Sequence, residues 1–510
     1  MSTTISSIWQ HFNELENEQP ALWVNNQFYS YQQLAKQANK LSAELQKHYV
    51  HQQTVAVFTH RSVNTYCGLL GTLFSGNIFL PLNVKQPLSR VRQILESAQC
   101  QTIVASLEDA TMIAELQQHF PALRIIWNSD HDLSQPCDVS PQLAARPQSE
   151  RFELVKGGYA YLMFTSGSTG TPKGIGITHA NLDQYVEALD EAYTFTSQDR
   201  FAQHSDLTFD LSVHDWSLAW SHGATLYVLP EMQKSCPVDF IRHHQISCLL
   251  AVPSIIPLCG QLNKLAAASI PSLRLSFFCG QALSIEHARL WAKATTKQVI
   301  NLYGPTEATI AISAYEFDQH ETLTGPYVPI GEIFPNQQAK LVATSSDEHP
   351  ELWLRGPQVI SQYWHNSIAD RQAFRKDVHD GGLWYRTGDL VSRSDKGLLY
   401  HGRGDHQVKI QGHRIELGEM ESVARKLNLE TAAVPWPLNE NGEGLGLVLF
   451  VVTHKNADIE QLKQFLHQQL PSYMQPKTLY SCQQLPLNIN GKVDIKALQQ
   501  LCIKREAPCY

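Results

Sequence analysis

The 510-residue chain has no run approaching eighteen consecutive apolar residues, so neither a membrane span nor membrane insertion is expected. It has no excess of basic charge. The net charge is −8, which argues against nucleic acid or an anionic membrane as partner. Its ten cysteines are scattered, with no Cys-x-x-Cys pair. That argues against a zinc site or a disulfide framework and fits a reducing compartment. The first residues, Met1 to Ser7, lack the basic n-region and apolar core of a secretory signal, so a cytoplasmic location is expected. No internal repeat and no low-complexity tract occurs. What remains is an ordinary globular composition, 43% hydrophobic, and a chain long enough for two or more domains.

The most informative stretch is Thr165-Ser166-Gly167-Ser168-Thr169-Gly170-Thr171-Pro172-Lys173-Gly174. From Thr165 to Lys173 it carries hydroxyl side chains at five positions, two glycines and one lysine. Such a loop offers backbone N–H groups, hydroxyls and a cation to one anion, most plausibly a phosphate. The apolar run Tyr159 to Phe164 before it and the alternating run Ile175 to Thr178 after it both read as strands. The loop therefore joins two strands, unlike a Walker A loop, which opens a helix.

The N-terminal part alternates helix and strand patterns. Ser30 with Gln33 forms a capping-box signature, and Leu34, Ala38, Leu41 and Leu45 recur at helical spacing. Thr54 to Phe58 reads as a buried strand, Asn181 to Tyr193 as a helix, and Val299 to Tyr303 as a strand ending in a Gly-Pro turn. Strands alternating with helices predict α/β layers. Trp384 to Leu390 and Gly397 to His401 look like short antiparallel strands. The character changes near Gly402-Arg403-Gly404-Asp405. Beyond it, Leu417, Met420, Ala424 and Leu427 mark one helix face, Leu445 to Thr453 a strand, and Ile459, Leu462, Phe465, Leu466 and Leu470 a second helix. This predicts a small α+β domain over 404–510 behind a large α/β core over 1–403.

Several separated motifs, in order from Phe28 to Asp494, resemble the adenylate-forming superfamily, most of all the amino-acid adenylation domains of nonribosomal peptide synthesis. Tyr161 to Gly174 resembles the phosphate loop, and Phe209-Asp210-Leu211-Ser212 the segment that anchors the substrate amine. Asn301 to Glu307 resembles the adenine and magnesium segment, and Tyr385 to Asp389 the ribose segment. Gly402 to Ile410 resembles the hinge. Leu470 to Met474 and Asn490 to Asp494 complete the set.

The resemblance implies an enzyme that uses ATP and Mg²⁺ to join a carboxylate to AMP. The substrate carboxylate must meet the α-phosphorus in line with the departing pyrophosphate. Two anions approach, so cations and N–H donors belong where charge accumulates. Lys492 is implied as the catalytic cation between carboxylate and α-phosphate, Glu307 as the magnesium ligand, and Thr306 as a contact to the α-phosphate. ATP-binding roles fall to Thr165, Ser166, Gly167, Ser168, Thr169, Gly170 and Lys173 in the loop, to Gly280 by close backbone approach to the adenine, to Gly304, to Tyr303 by stacking on adenine, and to Asp389 on the ribose. Arg403 binds the nucleotide or holds the domain junction.

Asp210 carries the substrate class. An α-amino acid brings an ammonium into a desolvated pocket, where a carboxylate must face it. Aryl-acid and fatty-acid ligases have no amine to pair, so acyl- or aryl-CoA ligation is the weaker alternative. Matching the family's pocket residue by residue gives Asp210, Leu211, His214, Ala251, Phe277, Cys279, Leu302, Ile310 and Ala311, with Lys492. Phe277, Leu302, Ile310 and Cys279 would crowd that pocket, and no second carboxylate or free cation is available for a charged side chain. A small neutral amino acid is expected, glycine first and alanine next, with a proline-type pocket as a further alternative. The stretches Phe277 to Gly280, Tyr303 to Ala311 and Phe209 to Val213 particularly resemble D-alanine–carrier-protein ligases, to which the glycine-activating ligases of lipid A modification are related.

These residues contain no Gly-Gly-x-Ser phosphopantetheine site: Gly157-Gly158 is followed by Tyr159-Ala160, and Gly381-Gly382 by Leu383-Trp384. The expected thiol acceptor is a separate phosphopantetheinylated carrier protein. The family's two steps share one site. The small mobile domain is implied to rotate about Asp405, withdrawing Lys492 and presenting Gly412-His413-Arg414.

Overall fold

The structure, a computed structural model, describes residues 3–13, 18–47, 51–128, 157–167, 171–343, 348–378, 381–405, 407–453, 455–487 and 493–506. The chain forms two compact units. One comprises Met1–Val84, Leu95–Met163 and Gly174–Gly402. The other comprises Lys85–Ile94, Phe164–Lys173 and Arg403–Tyr510.

The larger unit is built on layered sheets. One runs in spatial order Arg124–Trp127, Thr102–Ala105, Thr54–Thr59, Ile78–Asn83, Tyr159–Thr165, Lys173–Thr178. Its first five strands pair in parallel. A second, nine-stranded sheet has a parallel centre made of Thr225–Val228, Arg200–Gln203, Cys248–Ala251, Leu275–Phe278 and Gln298–Tyr303. Side chains alternate across its faces because a strand repeats every two residues. Leu250, Phe277, Ile300 and Leu302 face one apolar cluster, which also takes in Val55, Val57 and Phe79 of the first sheet. Leu249, Ala251, Phe278 and Val299 face another, closed by the helices Val238–His244, Ile255–Gln261 and Ile285–Thr295. The helix Leu211–Ser221 packs in the first cluster and buries ten of its eleven residues. A helix apolar on nearly all sides belongs inside a core.

The local signals take the expected form. Ser30 and Gln33 make a capping box, and Leu34, Ala38, Leu41 and Leu45 are all buried on the helix Tyr31–Gln46. The helix expected from Asn181 begins earlier, at His179, because Thr178 accepts from the Asn181 amide as its cap. The hairpin region gives one twelve-residue strand, Leu383–Ser394, paired with Gly397–Arg403.

The smaller unit contains a two-stranded ribbon, Gln407–Ile410 with His413–Glu416, and a sheet of Thr431–Pro435, Leu447–Val452 and Thr478–Cys482. Helices Leu417–Arg425 and Asn456–Gln469 cover that sheet through Met420, Ala424, Leu462 and Leu466. Three expected ends shift by a few residues. Leu427 lies past its helix, where its amide closes a turn on Ala424. Leu470 caps the second helix. Leu445 is exposed and donates to the Pro437 carbonyl ahead of the strand. Among the described residues no helix is long and apolar enough to cross a membrane.

Candidate active site

Asp210 occupies the cap position of the helix Leu211–Ser221, yet its side chain makes no capping hydrogen bond. It is buried, and its Oδ2 has no hydrogen-bond partner among the described residues. Burial pushes the carboxyl up to about 6, against the pull of the Thr306 hydroxyl. A carboxylate so placed is short of a positive partner. Four residues on, and therefore on the same helix face, His214 is fully buried. Its ring meets Phe277 edge to face, with centroids 5.0 Å apart. Leu211, Phe277, Cys279, Leu302, Ile310 and Ala311 all belong to the same apolar cluster, and Cys279 Sγ lies 4.0 Å from the Ile310 carbonyl oxygen. Ala251 is not brought together with them. It sits on the opposite face of the sheet with Phe278, while its neighbour Val252 packs against both clusters. A one-residue step along a strand reverses the face.

The strand Gln298–Tyr303 leads through Gly304-Pro305 into a single 3₁₀ turn, Thr306–Ala308. Gly304 is required here: a Cβ would lie 2.5 Å from Ala311 Cα. Thr309 and Ile310 then adopt positive φ, 57° and 71°. For a β-branched residue such as Ile310 this is an outlier, costing about 1–3 kcal/mol, and it persists only where neighbours impose it. Buried Gln358 does so. Its side chain donates to the Ala311 carbonyl at 2.8 Å, and its carbonyl accepts from the Thr309 hydroxyl at 2.6 Å. The turn also buries Glu307, whose Oε1 accepts from the Tyr363 hydroxyl at 2.7 Å. Nearby, the Tyr303 hydroxyl donates to Asp389 Oδ2 at 2.5 Å, joining the expected adenine and ribose residues. Thr387 holds the Asp389 amide at 3.0 Å. Gly280, just past Leu275–Phe278, has φ 87°, a conformation suited to glycine.

Sequence reasoning missed Tyr185, Tyr363 and Gln358. Each holds a residue it did find, from 29 to 56 positions away, and none lies in a recognisable motif.

In the smaller unit, Ser166 donates to the Arg414 carbonyl at 2.8 Å and accepts from the Glu416 amide at 3.1 Å. Lys173 Nζ pairs with Glu416 at 3.3 Å. The Gly167 amide donates to Glu419 at 3.3 Å, and Glu419 also pairs with buried Arg90. Gly167 admits no side chain, since a Cβ would lie 2.0 Å from the Thr171 carbonyl oxygen. Thr165 ends the preceding strand. Arg403 grips Asp405 through two hydrogen bonds of 2.7 Å. Burial raises the Asp405 carboxyl, but this guanidinium outweighs it and holds the group below the usual carboxylate range. Ser168, Thr169, Gly170 and Lys492 lie outside the described residues.

Glu307, buried at this turn, offers a single carboxylate, fewer ligands than a metal held by protein alone would need. Mg²⁺ takes one or two carboxylates together with phosphate oxygens. Among the described residues no group of three His, Cys, Asp or Glu side chains could hold a metal without them.

A nine-stranded sheet carrying these motifs, with a small α+β unit, defines an adenylate-forming ligase. The AMP-binding enzyme family model matches residues 9–364, and its C-terminal domain matches 419–492. The chain belongs to this family. It is 30% identical to tyrocidine synthase 1 of Brevibacillus parabrevis, over 97% of this chain, but spans only 45% of that protein. It is 31% identical to the L-proline–[L-prolyl-carrier protein] ligase of Pseudomonas fluorescens, over 88% of each chain. The solved adenylation domain AlmE of Vibrio cholerae, in complex with glycyl-adenosine-5′-phosphate, is 35% identical, covers 99% of this chain and 98% of its own, and superposes with a TM-score of 0.84.

Proposed function

We propose that this protein activates glycine, with alanine next in preference, as aminoacyl-AMP and transfers it to the phosphopantetheine thiol of a separate carrier protein. The observation that carries the reading is Asp210: a buried carboxyl, raised to about 6, beside a face filled by His214, Phe277 and Leu302. An acid there suits an ammonium and serves no purpose for a fatty or aryl acid. The AlmE likeness supports glycine, and the prolyl ligase likeness supports a carrier-bound product.

In this reading Asp210 takes the ammonium and directs the substrate carboxylate to the α-phosphorus. A carboxylate oxygen forms the new P–O bond as the bond to pyrophosphate breaks. Lys492 neutralises the charge gathered between them. Glu307 would hold Mg²⁺, which would offset charge on the phosphate oxygens. Asp389 accepts from the ribose hydroxyls, and Tyr303 stacks on adenine. The carrier thiol then adds to the carbonyl, losing its proton, and AMP leaves.

The test is ATP–pyrophosphate exchange across the standard amino acids and D-alanine. Glycine is expected to give the highest kcat/KM. Preference for L-proline would favour the proline-type reading, and exchange only with benzoates or fatty acids would overturn both.

Asp405 is assigned as the pivot between the two steps. Proline there fixes φ and removes the amide. Asp405→Pro is expected to keep exchange within a few-fold and to slow loading of the carrier by more than about tenfold. Asp405→Ala, which removes the carboxylate's bonds to Arg403 and to the Gln407 amide but leaves the backbone free to turn, serves as control. Equal loss of both steps in Asp405→Pro would count against the pivot.

A further inference from the structure

Tyr185 lies on the helix His179–Ala192, outside every motif that drew attention in the sequence. It is fully buried, and its hydroxyl hydrogen-bonds His214 Nδ1 at 2.6 Å. The other ring nitrogen, His214 Nε2, has no hydrogen-bond partner among the described residues. The imidazole is therefore anchored by one polar contact and by its edge-to-face packing on Phe277. Burial pushes its pKa down to about 3, so the ring is neutral and cannot rival an ammonium for Asp210. Asp210 and His214 are one turn apart, about 6 Å along the helix axis. Burial, and after it the charges of Cys279, Asp215, Asp210 and Tyr161, push the Tyr185 hydroxyl well up, so it stays protonated.

We propose that Tyr185 and His214 together form the size gate of the amino-acid pocket. Tyr185 is a positioning residue: it pins the imidazole against Phe277, where the ring occupies the space a substrate side chain would need. The gate rests on the reading of Asp210 as the ammonium partner, and it explains why a pocket walled by one histidine would favour a substrate with no side chain. Without the phenolic hydroxyl the ring loses its one polar anchor and swings, admitting a methyl group. A methyl group is worth about 10- to 200-fold in discrimination when a pocket is rigid.

The experiment compares kcat/KM for glycine, L-alanine and D-alanine by ATP–pyrophosphate exchange in the wild type, Tyr185→Phe and His214→Ala. Tyr185→Phe keeps the ring and removes only the hydroxyl, so it carries the test even where His214→Ala fails to fold. Glycine kcat/KM is expected to stay within about threefold in Tyr185→Phe, while the glycine-to-alanine ratio falls by about tenfold. His214→Ala is expected to lower the ratio further. A merely structural role would depress both substrates equally, and an unchanged ratio in Tyr185→Phe overturns the gate. Wild-type protein that gives no exchange with any amino acid removes the Asp210 reading, and the gate with it. Wild-type exchange with glycine and an unchanged ratio removes the gate alone.

Discussion

Replacing Lys492 with alanine is expected to cut adenylate formation about a hundred- to a thousandfold while leaving ATP affinity within a few-fold of normal. The reason is electrostatic. On the proposed reading the ground-state nucleotide is held by many donors, so loss of one cation among them would cost little. In the transition state the substrate carboxylate and the α-phosphate share negative charge in one small volume, and a single ammonium between them matters most. An interaction made only at that moment lowers kcat and kcat/KM together. The measurement is pyrophosphate exchange alongside equilibrium ATP binding. Transfer from separately supplied aminoacyl-AMP should be nearly untouched, because pyrophosphate chemistry is already complete. Near-normal exchange in Lys492→Ala would remove the main catalytic assignment.

Asp210→Asn is expected to lower kcat/KM for the amino acid by between about a hundredfold and a few thousandfold. Breaking a buried ion pair costs about 3–5 kcal/mol, and each 1.4 kcal/mol is tenfold. The wild type should also carry a pH signature. Burial raises this carboxyl to about 6, so below that pH the free enzyme holds a neutral acid that cannot pair with an ammonium. kcat/KM for glycine should then fall about tenfold per pH unit as pH drops below about 6, and be level above it. The asparagine variant should lack that limb. A variant with normal kcat/KM would show that Asp210 does not meet the substrate amine.

Much of the fold is legible in the residues alone. The capping box at Ser30, the strands around the phosphate loop and the buried strand Thr54–Thr59 are local patterns, and local patterns are what a sequence displays. Asp210, Glu307 and Asp389 are legible because their motifs are contiguous. Element ends are less so, because a helix stops where its last hydrogen bond finds a partner, as at Leu427 and Leu470. The face of Ala251 depends on strand register within a nine-stranded sheet, which a residue-by-residue match of motifs does not determine. Tyr185, Tyr363 and Gln358 are invisible for a related reason. Their value lies in a contact made across the fold, and a lone tyrosine or glutamine advertises nothing.

The bonds of the loop Thr165–Lys173 have a consequence for the order of events. Its Gly167 amide and Lys173 ammonium, the groups suited to an anion, are engaged by the carboxylates of Glu419 and Glu416. One donor cannot serve two full claims at once, and by reciprocity whatever weakens one occupant strengthens the other. On the proposed reading of this loop, a phosphate group bound there would compete with these two glutamates for the same donors. Release of that group and the return of the two carboxylates would then be a single exchange.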